Sequence, residues 1–379
     1  MQKVRDRVYF DNASTTKTDP DVLKTYISLL QKYYVNSESL YDEGTEISRM
    51  MEKARAATAG LLEVNPDEII FTSGSAESNS AAIKSVCLAS KGRKHIVTSM
   101  IEHSSILNAC RQMERLFGWQ VTYVPVDENG SVHAEDVIAA IRDDTALVSI
   151  MHANNETGAV NPISEIAEYV KKKTHAYMHS DMTQSVGKIP LDLKNIDLMS
   201  ISAHKINGLK GSGILMKRRH VPFEPLINGG EQEFGYRGGT ANACSDMVFA
   251  KTLRLALERQ KKDEAGIAKL RERLLNGLAG ISGILINSPK DGLPCTVNFS
   301  YEKIPSEVMQ NALNRRGFMV SARSTCESKS ANTSYVLKAM GYSDARASSC
   351  IRVSLSHENT AEEVDAFIQA LKEIISQYG

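Results

Sequence analysis

The sequence predicts an α/β fold with a mostly parallel sheet in a large domain, residues 16–249, and a smaller α+β domain made from residues 1–15 and 250–379. Three observations predict it. Between about residues 67 and 205 short apolar runs alternate with helical patterns, which is how a parallel sheet covered by helices on both faces is written. Beyond residue 280 short strand-like runs are interleaved with helices in a less regular order. The chain's 379 residues, 42% of them hydrophobic, can also bury a sizeable core and fit one large domain with a smaller one attached.

In chain order, residues 8–16 read as a short strand and a polar turn, Asp11-Asn12-Ala13-Ser14-Thr15-Thr16, before a helix that starts near Pro20. Residues 33–41 are polar and aromatic, unlike a core element, and read as an active-site loop ahead of a helix over 42–62. A strand ending at Thr72 then turns through Ser73-Gly74-Ser75 into a helix over 76–88. Strands follow at 94–100, 120–125 and 145–151, alternating with helices at 103–117, 134–142 and 163–173. A glycine-rich loop over 228–240 leads into a long polar helix, roughly 243–280, expected to contain at least one break. Strands are expected near 284–287, 296–301, 318–321 and 351–355. The last helix opens with Thr360-Ala361-Glu362-Glu363, a capping-box pattern.

Composition excludes several classes of function. Lys plus Arg and Asp plus Glu balance at 45 each, so there is no electrostatic footprint for nucleic acid or an anionic membrane. No apolar run approaches the length of a membrane span, and the charged start, Met1 to Arg7, is not followed by the apolar core of a signal peptide. A cytoplasmic location is expected. Cys87, Cys110, Cys244, Cys295, Cys326 and Cys350 are scattered without CxxC spacing, which argues against a disulfide framework or a zinc cage. No metal site is expected.

The chemistry-bearing residues sit where the predicted strands end. The run Ile196 to Ser202 is followed by Ala203-His204-Lys205 and then glycines, so Lys205 leaves the sheet edge where α/β proteins bind ligands. A second apolar segment delivers Asp181. Most lysines are solvated surface charges, but an Asp and a Lys on neighbouring strand ends are what pyridoxal 5'-phosphate needs. The carboxylate keeps the pyridine nitrogen protonated, and the lysine amine bonds the cofactor covalently. The Ser73-Gly74-Ser75 turn, alone an ordinary N-cap, becomes in this company a cradle for the cofactor phosphate. Ser73, Glu102 with His103, and His152 with Asn154 and Asn155 mark the other strand ends.

These residues carry a resemblance. The segments Asp11 to Thr16, Phe71-Thr72-Ser73-Gly74, Glu102-His103, Asn154 to Gly158, His179 to Ser185, Ser202-Ala203-His204-Lys205, Arg237-Gly238-Gly239-Thr240, Ser321 to Cys326 and Ile351 to Leu355 stand in the order found in cysteine desulfurases of the NifS/IscS type. The chain resembles that family, within the class V, fold-type I pyridoxal phosphate enzymes, over essentially its whole length. The resemblance implies a seven-stranded sheet and the conversion of L-cysteine to L-alanine. It implies that Lys205 carries the cofactor, Asp181 pairs with its pyridine nitrogen, and His103 stacks on its ring and assists protonation steps near the sulfur as a catalytic residue. Asn155 and Gln184 would contact the ring side, and Ser202, His204, Ser75 and Ala76 the phosphate. Thr240 would reach the phosphate of a second subunit, which implies a homodimer with shared sites. Arg352 would hold the substrate carboxylate, assisted by Asn36. Cys326 would take the sulfur as a persulfide and pass it to a thiol-bearing acceptor protein, for iron–sulfur cluster or other sulfur-containing cofactor synthesis.

The sequence also departs from the family. Its nucleophile loop is usually Ser-Ser-Gly-Ser-Ala-Cys, whereas here Arg323 replaces the glycine and Glu327 follows Cys326. A cation beside the thiol lowers its pKa and an anion opposes that. The phosphate turn has Ser75-Ala76 where Ala-Thr is usual, and residues 35–41 and 237–240 have drifted as well. Two alternatives stay open: another class V enzyme, an aminotransferase or selenocysteine lyase, or a cofactor-bound interaction subunit with little activity.

Overall fold

A computed structural model describes residues 7–322 and 333–378. Cys326, with Arg323 and Glu327, lies outside the described residues. Seven strands form the principal sheet in the spatial order Ile69–Thr72, Gly213–Lys217, Leu198–Ser202, Tyr177–Asp181, Thr145–Ser149, His95–Ser99 and Gln120–Val124. Gly213–Lys217 runs antiparallel to both neighbours, and every other adjacent pair is parallel. Apart from the edge strand Gln120–Val124 and the half-buried Tyr177, these strands are buried along their length, as expected for a sheet covered on both faces.

The expected alternation of strands and helices is present, with ends trimmed by one to a few residues. Gly213–Lys217 was not foreseen, because it follows a glycine-rich stretch and shows no flanking helix pattern. Its first residue is a packing requirement: a Cβ on Gly213 would lie 2.5 Å from the Ile201 carbonyl oxygen and 2.6 Å from Gly74 Cα. The missing side chain lets the Ser73 to Ser75 turn lie directly on the sheet.

The expected break in the long helix is not found. Ala243–Ala279 is a single helix of 37 residues. Its middle is exposed and includes Gly266, whose weaker helix propensity costs only about 1 kcal/mol, while both ends are clamped by packing. Phe249, Leu253 and Ala256 enter the core beneath the principal sheet, and Leu274 and Leu278 enter a separate core.

That second core is built on an antiparallel sheet of Leu285–Ile286, Thr296–Ser300 and Cys350–Ser354, with the helices Ser306–Arg315 and Ala361–Tyr378 packed on it. The first strand among the described residues, Val8–Tyr9, pairs in parallel with Phe318–Met319. Phe10 then packs edge-on against Phe367, their ring centroids 5.7 Å apart. The capping box of Ala361–Tyr378 is formed: Thr360 N–H donates to Glu363 Oε2 at 3.2 Å and Glu363 N–H to Thr360 Oγ1 at 3.3 Å.

The glycine-rich loop over 228–240 is anchored by a buried ion pair. Arg55, on the helix Asp42–Leu61, donates from Nη1 and Nη2 to the two carboxylate oxygens of Glu233 at 2.7 and 2.8 Å. Glu233 Oε2 also accepts from Phe71 N–H at 2.7 Å. The pair holds Glu233 and Phe234 at φ of 49° and 59°, a region that non-glycine residues avoid. Removing one partner strands a buried charge. Glu233→Gln is therefore expected to lower the free energy of unfolding by about 3–5 kcal/mol, read as a lower denaturant midpoint with an unchanged slope.

Candidate functional site

The C-terminal strand ends, the turn after the first strand and part of the second sheet enclose a cavity of about 380 Å³. Its wall contains Lys205, Asp181, His103, Asn155, Gln184 and Arg352, brought together from across the chain. Ser75, Ala76, Ser202 and His204 also line it. Lys205 closes the short 3₁₀ turn Ala203–Lys205 that follows the strand Leu198–Ser202. Its Nζ donates to the carbonyl oxygens of Ala13 and Ser14 at 2.6 and 2.7 Å.

Asp181 ends its strand with both carboxylate oxygens held. Oδ1 accepts from Thr183 N–H at 2.9 Å and Oδ2 from Asn79 Nδ2 at 2.7 Å. His103 is the N-cap of the helix Ser104–Phe117. Gln184 donates from Nε2 to the Ala13 carbonyl at 3.0 Å and accepts at Oε1 from Lys188 Nζ at 2.8 Å, which settles the orientation of its amide. His204 bonds through Nδ1 to Thr15 Oγ1 at 3.0 Å. Burial, then the cations of Lys205, Lys210 and Lys188, push the His204 ring down to about 4, so it is neutral at pH 7.

Arg352 is 2% exposed and already engaged. Nη1 donates to the Asn155 carbonyl at 2.7 Å, and Nη2 to Asp11 Oδ1 at 2.8 Å and Ser14 Oγ at 2.6 Å. Its Nε has no hydrogen-bond partner. A guanidinium carries five N–H groups, so the Nε proton and one Nη1 proton are uncommitted.

The residues fit pyridoxal phosphate. Asn155 Oδ1, Thr183 Oγ1 and Arg352 Nε are buried polar atoms in the cavity wall with no hydrogen-bond partner, a cost that a polar ligand would relieve. The cavity wall offers an amine and a carboxylate, Lys205 and Asp181, together with hydroxyls, an imidazole and the N-terminus of the helix Ser75–Ala89, which suit an anion.

Two expected site residues lie elsewhere. Asn36 sits in the exposed loop before the helix Asp42–Leu61, its Oδ1 accepting from Glu38 N–H at 3.0 Å. Thr240 is exposed at the end of the glycine-rich loop. Neither lines this cavity. Three polar strand-end residues, Glu102, His152 and Asn154, turn inward away from it. Glu102 is fully buried, and burial pushes its carboxyl up to about 8. In turn, the cavity wall includes Ala13, Ser14, Thr15, Met151 and Thr183, to which sequence reasoning assigned no role. The polar turn from Asp11 to Thr16 was visible as a motif, but nothing local showed that it folds over the sheet edge.

A family model described as aminotransferase class V matches residues 8–367. The chain belongs to the class V aminotransferase family. A curated relative from Lactobacillus delbrueckii subsp. bulgaricus, named NifS/IcsS protein homolog, is 41% identical over 377 residues, covering 98% of each chain. The cysteine desulfurase IscS of Clostridium botulinum is 39% identical over 378 residues, covering 98% of this chain and 95% of the relative. A solved structure described as a NifS-like protein superimposes with a TM-score of 0.92 at 39% identity, covering 98% of this chain and 100% of that one. A structure of SspA in complex with cysteine matches with a TM-score of 0.81 at 31% identity over 93% of this chain and 99% of that one. The fold, the strand-end lysine and the carboxylate partner thus occur here in a member of this family.

A phosphate bound beside His204 would favour its protonated form. Inorganic phosphate is expected to raise the His204 titration by about one to three units from its starting value near 4. Ring resonances followed from below pH 4 up to pH 7, with and without phosphate, measure the shift. No shift would remove His204 from the phosphate site.

Proposed function

We propose that this chain is a pyridoxal phosphate-dependent cysteine desulfurase that converts L-cysteine to L-alanine and passes the sulfur to Cys326. The observation that carries the reading is the convergence of Lys205, Asp181 and the buried Arg352 on one cavity. When bound, pyridoxal phosphate supplies an electron sink for the substrate's α-carbon. Asp181 would face its pyridine nitrogen, Lys205 would hold it, and His103 would cover its ring. The phosphate would rest on the N-terminus of the helix Ser75–Ala89, with Ser202 and His204 beside it.

The protein's own groups divide the remaining work. Arg352 holds the substrate carboxylate by its charge and one uncommitted N–H, which orients the α-hydrogen and the sulfur. The Lys205 amine takes the α-proton and returns a proton to carbon. The Cys326 thiolate attacks the substrate sulfur; the carbon–sulfur bond breaks, its electron pair stays with carbon, and a persulfide remains on Cys326. A thiol-bearing acceptor protein then takes the outer sulfur, for iron–sulfur cluster or other sulfur-containing cofactor synthesis. The cytoplasm is the proposed location; among the described residues no helix is long and apolar enough to cross a membrane.

We further propose a large unit over residues 16–249, a smaller one over 1–15 and 250–379, and a homodimer. The dimer reading is supported by exposed apolar residues around the elements that carry Asn36 and Thr240. Leu23, Ile27 and Leu30 share one face of the helix Pro20–Lys32 and are 44 to 47% exposed. Leu40 is 98% exposed, and Phe234 is 47% exposed. Exposed apolar side chains gathered on one helix face are a mark of a protein–protein interface. Ile27→Glu combined with Leu30→Glu is expected to shift sedimentation toward monomer, and an unchanged mass would move the interface elsewhere.

The functional reading is tested by absorbance of the purified holoenzyme before and after L-cysteine, with alanine and sulfide quantified under a thiol reductant. Equimolar alanine and sulfide are expected. Cys326→Ala is expected to lower sulfide release by about a hundredfold or more while the cofactor absorbance is kept. Undiminished turnover in that variant, keto-acid formation, or activity confined to selenocysteine would replace the reading with another class V activity. Bound cofactor without turnover of any of these would support an interaction subunit.

A further inference from the structure

Two side chains outside the cavity wall connect Asp181 to His103. Asn79, fully buried in the helix Ser75–Ala89, uses one Nδ2 proton on Asp181 Oδ2 at 2.7 Å and the other on Ser105 Oγ at 2.9 Å. Ser105 Oγ lies 2.8 Å from His103 Nδ1, and Ser105 N–H donates to the same nitrogen at 3.2 Å. The direction of each bond follows from chemistry. An ionised carboxylate only accepts, so the Asn79 amide must present Nδ2 to Asp181. The opposite orientation would set two oxygens against each other. Its Nδ2 then donates to Ser105 Oγ, which leaves the serine proton free to point at His103 Nδ1.

His103 Nδ1 therefore faces two donors, a hydroxyl and a backbone amide, and can only accept. The ring proton is placed on Nε2, at the opposite edge of a ring that lines the cavity. The arrangement has a cost that argues for its purpose: Asn79 Oδ1 is buried with no hydrogen-bond partner. The amide forgoes its own acceptor bond to serve both Asp181 and Ser105.

We infer that Asn79 and Ser105 are positioning residues that hold His103 in its Nε2–H tautomer, so that His103 presents a hydrogen-bond donor to the cavity and not a base. The tautomer stands without any cofactor. Its use in the reaction rests on the desulfurase reading. Because an amide does not relay protons, the link to Asp181 is one of orientation: movement of the Asp181 carboxylate releases Asn79, and with it the donor that fixes Ser105.

The test is the ¹⁵N spectrum of histidine-labelled full-length protein, with His103 identified by the signals lost in His103→Gln. Pyridine-type Nδ1 and pyrrole-type Nε2 signals are expected. Ser105→Ala and Asn79→Ala are expected to move both toward the averaged values of a mixed population, and Ser105→Thr, which keeps the hydroxyl, is expected to restore them. Ser105 is only half-buried, so its variants serve even where Asn79→Ala does not fold. A pyrrole-type Nδ1 in the unsubstituted protein, or spectra unchanged by Ser105→Ala, would overturn the inference. In turnover of L-cysteine, Ser105→Ala is expected to lower kcat by about tenfold with KM little changed. An altered tautomer with no turnover in any variant would leave the positioning intact and count against the desulfurase reading alone.

Discussion

The site depends on one stretch of backbone, the turn from Asp11 to Thr16, which is bonded to both sheets at once. On one side Ser354 Oγ accepts from Ala13 N–H, and the Ser354 carbonyl accepts from Asn12 Nδ2, at 2.9 Å each. On the other, Thr16 N–H donates to the His204 carbonyl at 2.8 Å. Lys205 and Gln184 both donate to the Ala13 carbonyl. Asp11 and Ser14 meanwhile engage Arg352. The lysine, the amide and the guanidinium are therefore registered against a common set of main-chain atoms. The turn contributes no obvious reactive group, yet displacing it would move all three.

Around this junction the protein tolerates local costs. Arg352 and Asn155 each keep a buried polar atom without a partner, and Arg55 with Glu233 buries a full ion pair to hold two residues in a left-handed backbone conformation. Such features are unfavourable in isolation and persist only where the surroundings over-determine them. They cluster around the cavity and the loop bearing Thr240, where a prepared geometry has chemical value. The cores beneath the sheets are ordinary by comparison, filled with Val, Ile, Leu and Met.

Helix ends supply much of the site's preorganisation. His103 caps one helix, and Ser75 opens another on the cavity edge. In both cases a polar group is fixed by main-chain geometry and not by a flexible side chain alone. Asn79 lies one turn inside the second of these helices, which is why it can reach both the carboxylate at the sheet edge and the cap of the first helix.

By itself the sequence determined the alternation of strands and helices, the lysine and carboxylate at strand ends, and the family. Those features are local: apolar period, turn residues and short motifs are read within a few positions. Tertiary structure alone decided that the long helix runs unbroken, since packing at its two ends outweighs one exposed glycine. It decided that Glu102, His152 and Asn154 point into the interior, although they stand at strand ends like Asp181. It also joined Asp11 to Arg352 and Asn79 to Asp181 across more than a hundred residues. Contacts of that span have no local signature, because they depend on how strands are ordered in a sheet and not on the residues between them.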